Sequence, residues 1–104
     1  MCYNFAVTTQ SVQEKTRAEI TVRGIVQGVN FRWFTQRRAS ELNLTGYVMN
    51  MPDGSVNAVV EGARSDIQEL LETLRVGPSA AVVENVNVEW RAPSGEFDRF
   101  EVRY

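Results

Sequence analysis

No histidine occurs in these 104 residues. That removes the usual general base near neutral pH, every imidazole metal site, and all Ser-His and Cys-His nucleophile pairs. A single cysteine, Cys2, excludes an internal disulfide and fits a reducing, cytoplasmic setting. Lysine is almost absent: Lys15 stands beside ten arginines. No apolar run approaches the ~20 residues that cross a bilayer. Residues 1–16 lack the basic and apolar segments of a secretory signal. What is left, 43% hydrophobic and 23% charged, is the make-up of a globular chain, neither collagen-like nor wholly disordered. Its length suits one domain that buries roughly 60–70% of its unfolded surface without metal or disulfide staples.

The net charge of −2 is unevenly spread. Residues 1–52 carry six basic and three acidic groups, whereas residues 53–104 carry five basic and ten acidic ones. A chain acidic overall is a poor binder of nucleic acid, whose affinity rests on neutralising many phosphates. A small anion in the basic half is compatible with the same numbers. Arginine is the residue for multidentate oxyanion recognition, although most arginines are simply solvated.

Residues 1–16 are expected to form a disordered arm, with a domain over 17–104. Tyr3, Phe5 and Val7 alternate and offer a short edge strand as the alternative. Ala18, Ile20 and Val22 alternate with polar residues, which predicts a strand ended by Gly24. From Asn30, a candidate N-cap, a helical pattern runs to about Leu42, with Phe31, Phe34, Ala39 and Leu42 on one face. Asn43 is a left-handed stop. Gly46–Met51 and Ser55–Gly62 read as a hairpin around Pro52-Asp53-Gly54. Ser65 opens a second helix, with Gln68 as capping-box partner. Ile67, Leu70, Leu71 and Leu74 form its apolar stripe, and Gly77-Pro78 stops it. Ala81–Trp90 alternates as a strand, and Phe100, Val102 and Tyr104 mark a short last one. The order predicts an α+β, ferredoxin-like βαββαβ sandwich: an antiparallel sheet, two helices on one face and a short extra C-terminal strand. The plan alone assigns no function.

The informative segment is Gly24-Ile25-Val26-Gln27-Gly28-Val29-Asn30-Phe31-Arg32. Backbone N–H groups in a glycine-bearing loop can form an anion-binding concavity, and the helix start that follows adds unpaired donors. Arg32 falls in that first turn, where a cation is unfavourable unless an anion shares the site. A plain strand-to-helix connection with Arg32 in water is the alternative. Strands one and two of this plan run parallel with strand three between them, so their ends lie about 10 Å apart. Asn50, late in strand two, would face that gap with an amide that both donates and accepts. Alternatively it bonds the hairpin beside it.

These residues resemble the acylphosphatase family. Val22 to Arg32 fits the pattern V-x-G-x-V-Q-G-V-x-F-R, and Gly46-Tyr47-Val48-Met49-Asn50 with Gly54, Val56 and Gly62 fits that family's second signature. The likeness covers about residues 17–104. It departs at Asn43, where the family often has glycine, and at Tyr47, where tryptophan is frequent. The resemblance implies hydrolysis of acyl phosphates to carboxylate and phosphate without metal or other cofactor. It implies that Arg32 binds the phosphoryl group and Asn50 positions the attacking water. Gly24, Ile25, Val26, Gln27, Gly28, Val29 and Asn30 would wrap the phosphate oxygens with their amides.

Phosphate or sulfate would also fit such a loop, and a monomer without nucleic-acid or membrane partners is expected. An acyl phosphate already carries a good leaving group, so the lack of histidine is no obstacle. Asp53 and Glu61 read as turn and strand-face residues rather than acids. Thr35 reads as bonding within its helix, and Trp33 as either surface or site lining. Two other functions compete. A binding module of the RNA-recognition type would show aromatics on its third strand, and Ser55–Gly62 has none. A carbamoyl-phosphate domain of a larger transfer protein would share the motifs, although a chain ending in its last strand favours a small enzyme.

Overall fold

The computed structural model describes residues 14–104. The Tyr3–Val7 strand and most of the expected arm lie outside the described residues. Seven elements follow one another: β1 (Lys15–Ile25), α1 (Phe31–Glu41), β2 (Thr45–Asn50), β3 (Val56–Ala63), α2 (Arg64–Val76), β4 (Val82–Arg91) and β5 (Phe100–Arg103). β1 begins earlier than its apolar alternation does, because Lys15 and Thr16 still pair with Ala63 and Gly62. The sheet runs in the order β4-β1-β3-β2-β5. Its first four strands pair antiparallel. β5 joins β2 in parallel, with Val48 beside Val102, which makes the five-stranded sheet mixed. Both helices pack on one face, as the ferredoxin-like plan requires.

The alternation of β1 does what its period implies: Ala18, Ile20 and Val22 are buried beneath the helices. From α2, Ile67, Leu70, Leu71 and Leu74 meet them with one continuous stripe. Removing a side chain such as Leu70 there would cost about 2–5 kcal/mol. α1 buries Phe31, Thr35 and Ala39, so a threonine occupies a core position in place of the expected Phe34, which packs at the margin. The Thr35 hydroxyl is satisfied by donating to the Phe31 carbonyl at 2.8 Å. Asn43 is left-handed, at φ 59°, as its place after α1 predicts.

Two expected caps do not form. Asn30 holds the N-cap position of α1 with a left-handed backbone and no side-chain cap bond. Ser65 lies inside α2, whose N-cap is Ala63, because β3 runs into the helix with no intervening loop.

Among the described residues, the outer face of the sheet carries one buried charge. Glu61 is 4% exposed, opposite Arg17 in the β1–β3 ladder. Arg17 Nη1 donates to its carboxylate at 3.0 Å. The Ser94 N–H and hydroxyl, both at 2.8 Å, and the Gly95 N–H at 2.9 Å complete the shell. Sequence reading placed Glu61 on the strand face and missed this burial, since its partners lie more than thirty residues away. The bonds fold residues 92–99 over the sheet, where Phe97 stands edge-on to Tyr47 with ring centroids 5.9 Å apart. From there the chain enters β5.

Burial alone would push the Glu61 carboxyl up, but the Ser94 and Gly95 donors and Arg17 outweigh it and hold it below the usual range. A group depressed in the folded state contributes stability above its unfolded pKa and loses it as pH falls through the folded value. Glu61→Gln is therefore expected to cost on the order of 2–3 kcal/mol at pH 7. The gap should close in acid, where the wild-type carboxyl is itself protonated. Urea unfolding across pH measures this; a gap independent of pH contradicts it.

Candidate active site

Gly24 does not end β1. A bulge between Arg23 and Gly24 lets the strand continue, with Gly24 paired to Val83 and Ile25 to Val82. Only glycine serves there, because φ is +132° and a Cβ would stand 2.1 Å from the Val82 carbonyl oxygen. The chain leaves the sheet at Val26, whose buried side chain anchors the loop in the core. Gly28, at φ +77°, has open space around it, so its conformation and not room is what calls for glycine. Asn30 at φ 64° completes the turn into α1. Left-handed residues in so short a loop are the backbone shape that turns successive N–H groups toward a common centre. The free part of the loop is thus residues 26–30, with Gly24 and Ile25 held in the ladder.

The loop is tied to the β2–β3 hairpin. Gln27 Nε2 donates to the Met51 carbonyl at 2.8 Å and to the Ser55 carbonyl at 2.9 Å. Arg23 pairs with Asp53 across the same gap at 3.1 Å. Asp53 caps its own turn, accepting from the Ser55 hydroxyl at 2.6 Å and the Ser55 N–H at 3.0 Å. Those two bonds, with Arg23 beside them, hold its carboxyl down at about 2. It is a turn residue, as its place in the sequence suggests. The Gln27 tether was not foreseen; a carboxamide set among Ile25, Val26 and Val29 is the only signal for it.

A cleft of about 300 Å³ opens between this loop, α1 and the ends of β2 and β5. Its polar side is formed by Gly28, Asn30, Arg32 and Asn50, and its apolar side by Val26, Phe31, Trp33, Val102 and Tyr104. Arg32 and Asn50 are therefore brought together, as expected. Among the described residues, Asn50 Oδ1 is the buried side-chain oxygen or nitrogen without a hydrogen-bond partner. It does not bond the hairpin, whose own contacts run from Met51 N–H to the Ser55 carbonyl and from Gly54 N–H to the Met51 carbonyl. Nor is Arg32 loose in water. Its Nη1 donates to the Arg103 carbonyl at 3.1 Å, and its guanidinium lies 4.5 Å from the Tyr104 ring centroid. A guanidinium has five N–H donors, so this bond leaves others for a ligand.

Of the expected loop residues, Gly28, Val26 and Asn30 line the cleft, while Ile25 points its side chain to solvent and Gln27 turns its own to the hairpin. Trp33 lines the cleft. Among the described residues no group of three or more His, Cys, Asp or Glu side chains is placed to hold a metal ion. The donors in the cleft are those that suit an anion.

The chain is a ferredoxin-like domain whose cleft brings together a guanidinium, a glycine-bearing loop and a buried amide oxygen. The acylphosphatase family model matches residues 18–102, nearly the whole described chain. An acylphosphatase from Geotalea uraniireducens is 47% identical over 90 residues, which are 86% of this chain and 99% of that one. The crystal structure of acylphosphatase from Bacillus subtilis superposes with a TM-score of 0.83 at 32% identity, over 86% of this chain and 99% of that one. An acylphosphatase from Coxiella burnetii gives the same TM-score at 42% identity, over 92% and 100% of the two chains. The chain belongs to the acylphosphatase family. It is accordingly an enzyme of the acylphosphatase type, acting on a small acyl phosphate. No helix among the described residues is long and apolar enough to cross a membrane.

If Gln27 fixes the loop against the hairpin, its loss should loosen the loop and leave the core intact. Gln27→Ala is expected to raise amide exchange of residues 26–30 roughly 5- to 30-fold, the equivalent of about 1–2 kcal/mol of local opening. Unchanged exchange in the loop would show that the tether is ornamental.

Proposed function

We propose that the cleft hydrolyses acyl phosphates without a metal ion, the phosphoryl group lying between the loop amides of residues 26–30 and Arg32. The observation that carries this reading is the partnerless Asn50 Oδ1, buried in the same cleft as Arg32. A buried acceptor without a donor costs about 1–3 kcal/mol, and a water molecule would satisfy it. That water gives one hydrogen to Asn50 Oδ1 and presents its oxygen lone pair to phosphorus.

As the new P–O bond forms, the bond from phosphorus to the acyl oxygen breaks. Its electron pair leaves on the carboxylate. The water's proton passes to a phosphoryl oxygen, so the products are a carboxylate and inorganic phosphate. Asn50 is a neutral amide and takes no proton; it orients the nucleophile. Phosphoryl transfer of this kind passes through a loose transition state, in which positioning and charge stabilisation matter more than a base. A carboxylate of low basicity needs no acid to help it leave. Arg32 and the loop N–H groups stabilise the charge on the equatorial oxygens, fixed in place before the reaction begins.

The two side chains then have separable roles. Arg32→Ala is expected to lower both turnover and the affinity for inorganic phosphate as a competitive inhibitor. Asn50→Ala is expected to lower kcat by about 10²–10³ while leaving phosphate inhibition close to wild type. Benzoyl phosphate hydrolysis in EDTA, followed by ultraviolet absorbance, measures all three proteins. Loss of wild-type activity in EDTA, or equal damage to phosphate binding in both variants, contradicts the proposal.

A further inference from the structure

In-line displacement fixes where the acyl group must go. The attacking and leaving oxygens stand on opposite sides of phosphorus. Asn50 Oδ1, the partner given to the attacking water, is buried, and Asn50 lines the cleft. The leaving oxygen, and the acyl group on it, therefore points outward to the mouth. Trp33 and Tyr104 stand there, 56% and 96% exposed, both among the cleft-lining residues. Among the described residues, neither ring pairs with another aromatic ring. Each is nonetheless held. Arg37 lies 5.4 Å from the Trp33 ring centroid, and Arg32 lies 4.5 Å from that of Tyr104. Val102 adds apolar surface to the same wall.

We propose that Trp33 and Tyr104 form the acyl-group subsite, so that the enzyme favours acyl phosphates with flat or apolar acyl groups over small ones. This rests on the reading of the cleft given above and adds the substrate class to it. Among the described residues, the two rings and Val102 are the apolar surface that the cleft offers beyond Arg32, and Arg32 serves the phosphate. Discrimination therefore comes from burial and stacking against the two rings. A stacked aromatic pair gives roughly three- to tenfold in selectivity.

Trp33 provides the cleaner test, because Tyr104 also touches Arg32. The measurement is kcat/KM for benzoyl phosphate and acetyl phosphate in wild type, Trp33→Ala and Trp33→Phe. The Trp33→Ala variant is expected to lose roughly three- to tenfold in the benzoyl-to-acetyl ratio. Its inhibition by inorganic phosphate should stay near wild type, which also reports that the fold is intact. Trp33→Phe should restore most of the ratio. A ratio unchanged in Trp33→Ala, or equal losses on both substrates, overturns the subsite and leaves acyl phosphate hydrolysis standing. A wild type that hydrolyses neither substrate overturns both.

Discussion

The candidate site depends on closing one gap. β1 and β2 point the same way with β3 between them, so the loop that leaves β1 and the residue that ends β2 are separated by a strand's width on either side. β3 bridges the two strands only as far as Val56, which pairs with Val22 and with Asn50, so the ladder does not reach the loop itself. The Gln27 carboxamide does, by donating to two carbonyls of the hairpin, and the Arg23–Asp53 pair reinforces it at the surface. With the loop and hairpin held together, Asn50 and the loop residues Val26, Gly28 and Asn30 line one cleft. The exposed Arg23–Asp53 pair would contribute little alone, as exposed ion pairs do. The part-buried amide is the stronger member.

A second chain of contacts runs from the outer face of the sheet to Arg32. Glu61 is buried with Arg17 and draws Ser94 and Gly95 onto the sheet. This directs the segment before β5, and β5 then pairs with β2 in parallel. In that register the Arg103 carbonyl accepts from the Arg32 guanidinium. An acidic residue far from the cleft thus helps to orient the cleft's cation. The division of charge along the chain fits this arrangement. The basic half supplies Arg32, and the acidic half supplies the structural carboxylates Asp53 and Glu61.

How far the sequence carried the argument varies with the range of the contacts involved. Ile67, Leu70, Leu71 and Leu74 declared α2 because a helix stripe is a local pattern, and Ala18, Ile20 and Val22 declared β1 for the same reason. Asn43 and Gly77 were legible as stops, since left-handed backbone is also a local demand. The motif residues Arg32 and Asn50 were found by their likeness to a family, and the fold then placed them at one cleft. Three features escaped. The bulge at Gly24 depends on the close approach of Val82, far along the chain in β4. Glu61 is buried only because residues 92–99 cross it. The Gln27 bonds go to carbonyls, which carry no side-chain identity to read. The caps at Asn30 and Ser65 failed for a different reason: loop shape overrode local preference at the first, and a missing loop did so at the second.

The central claim is that loop, Arg32 and Asn50 form one oxyanion site. The most direct measurement is an NMR titration of the uniformly nitrogen-15-labelled protein with inorganic phosphate. The account predicts saturable shifts in the amides of Val26 to Asn30 and in the side-chain amide of Asn50, all following a single binding curve. Shifts centred elsewhere, or no saturable shift in the loop, would contradict it.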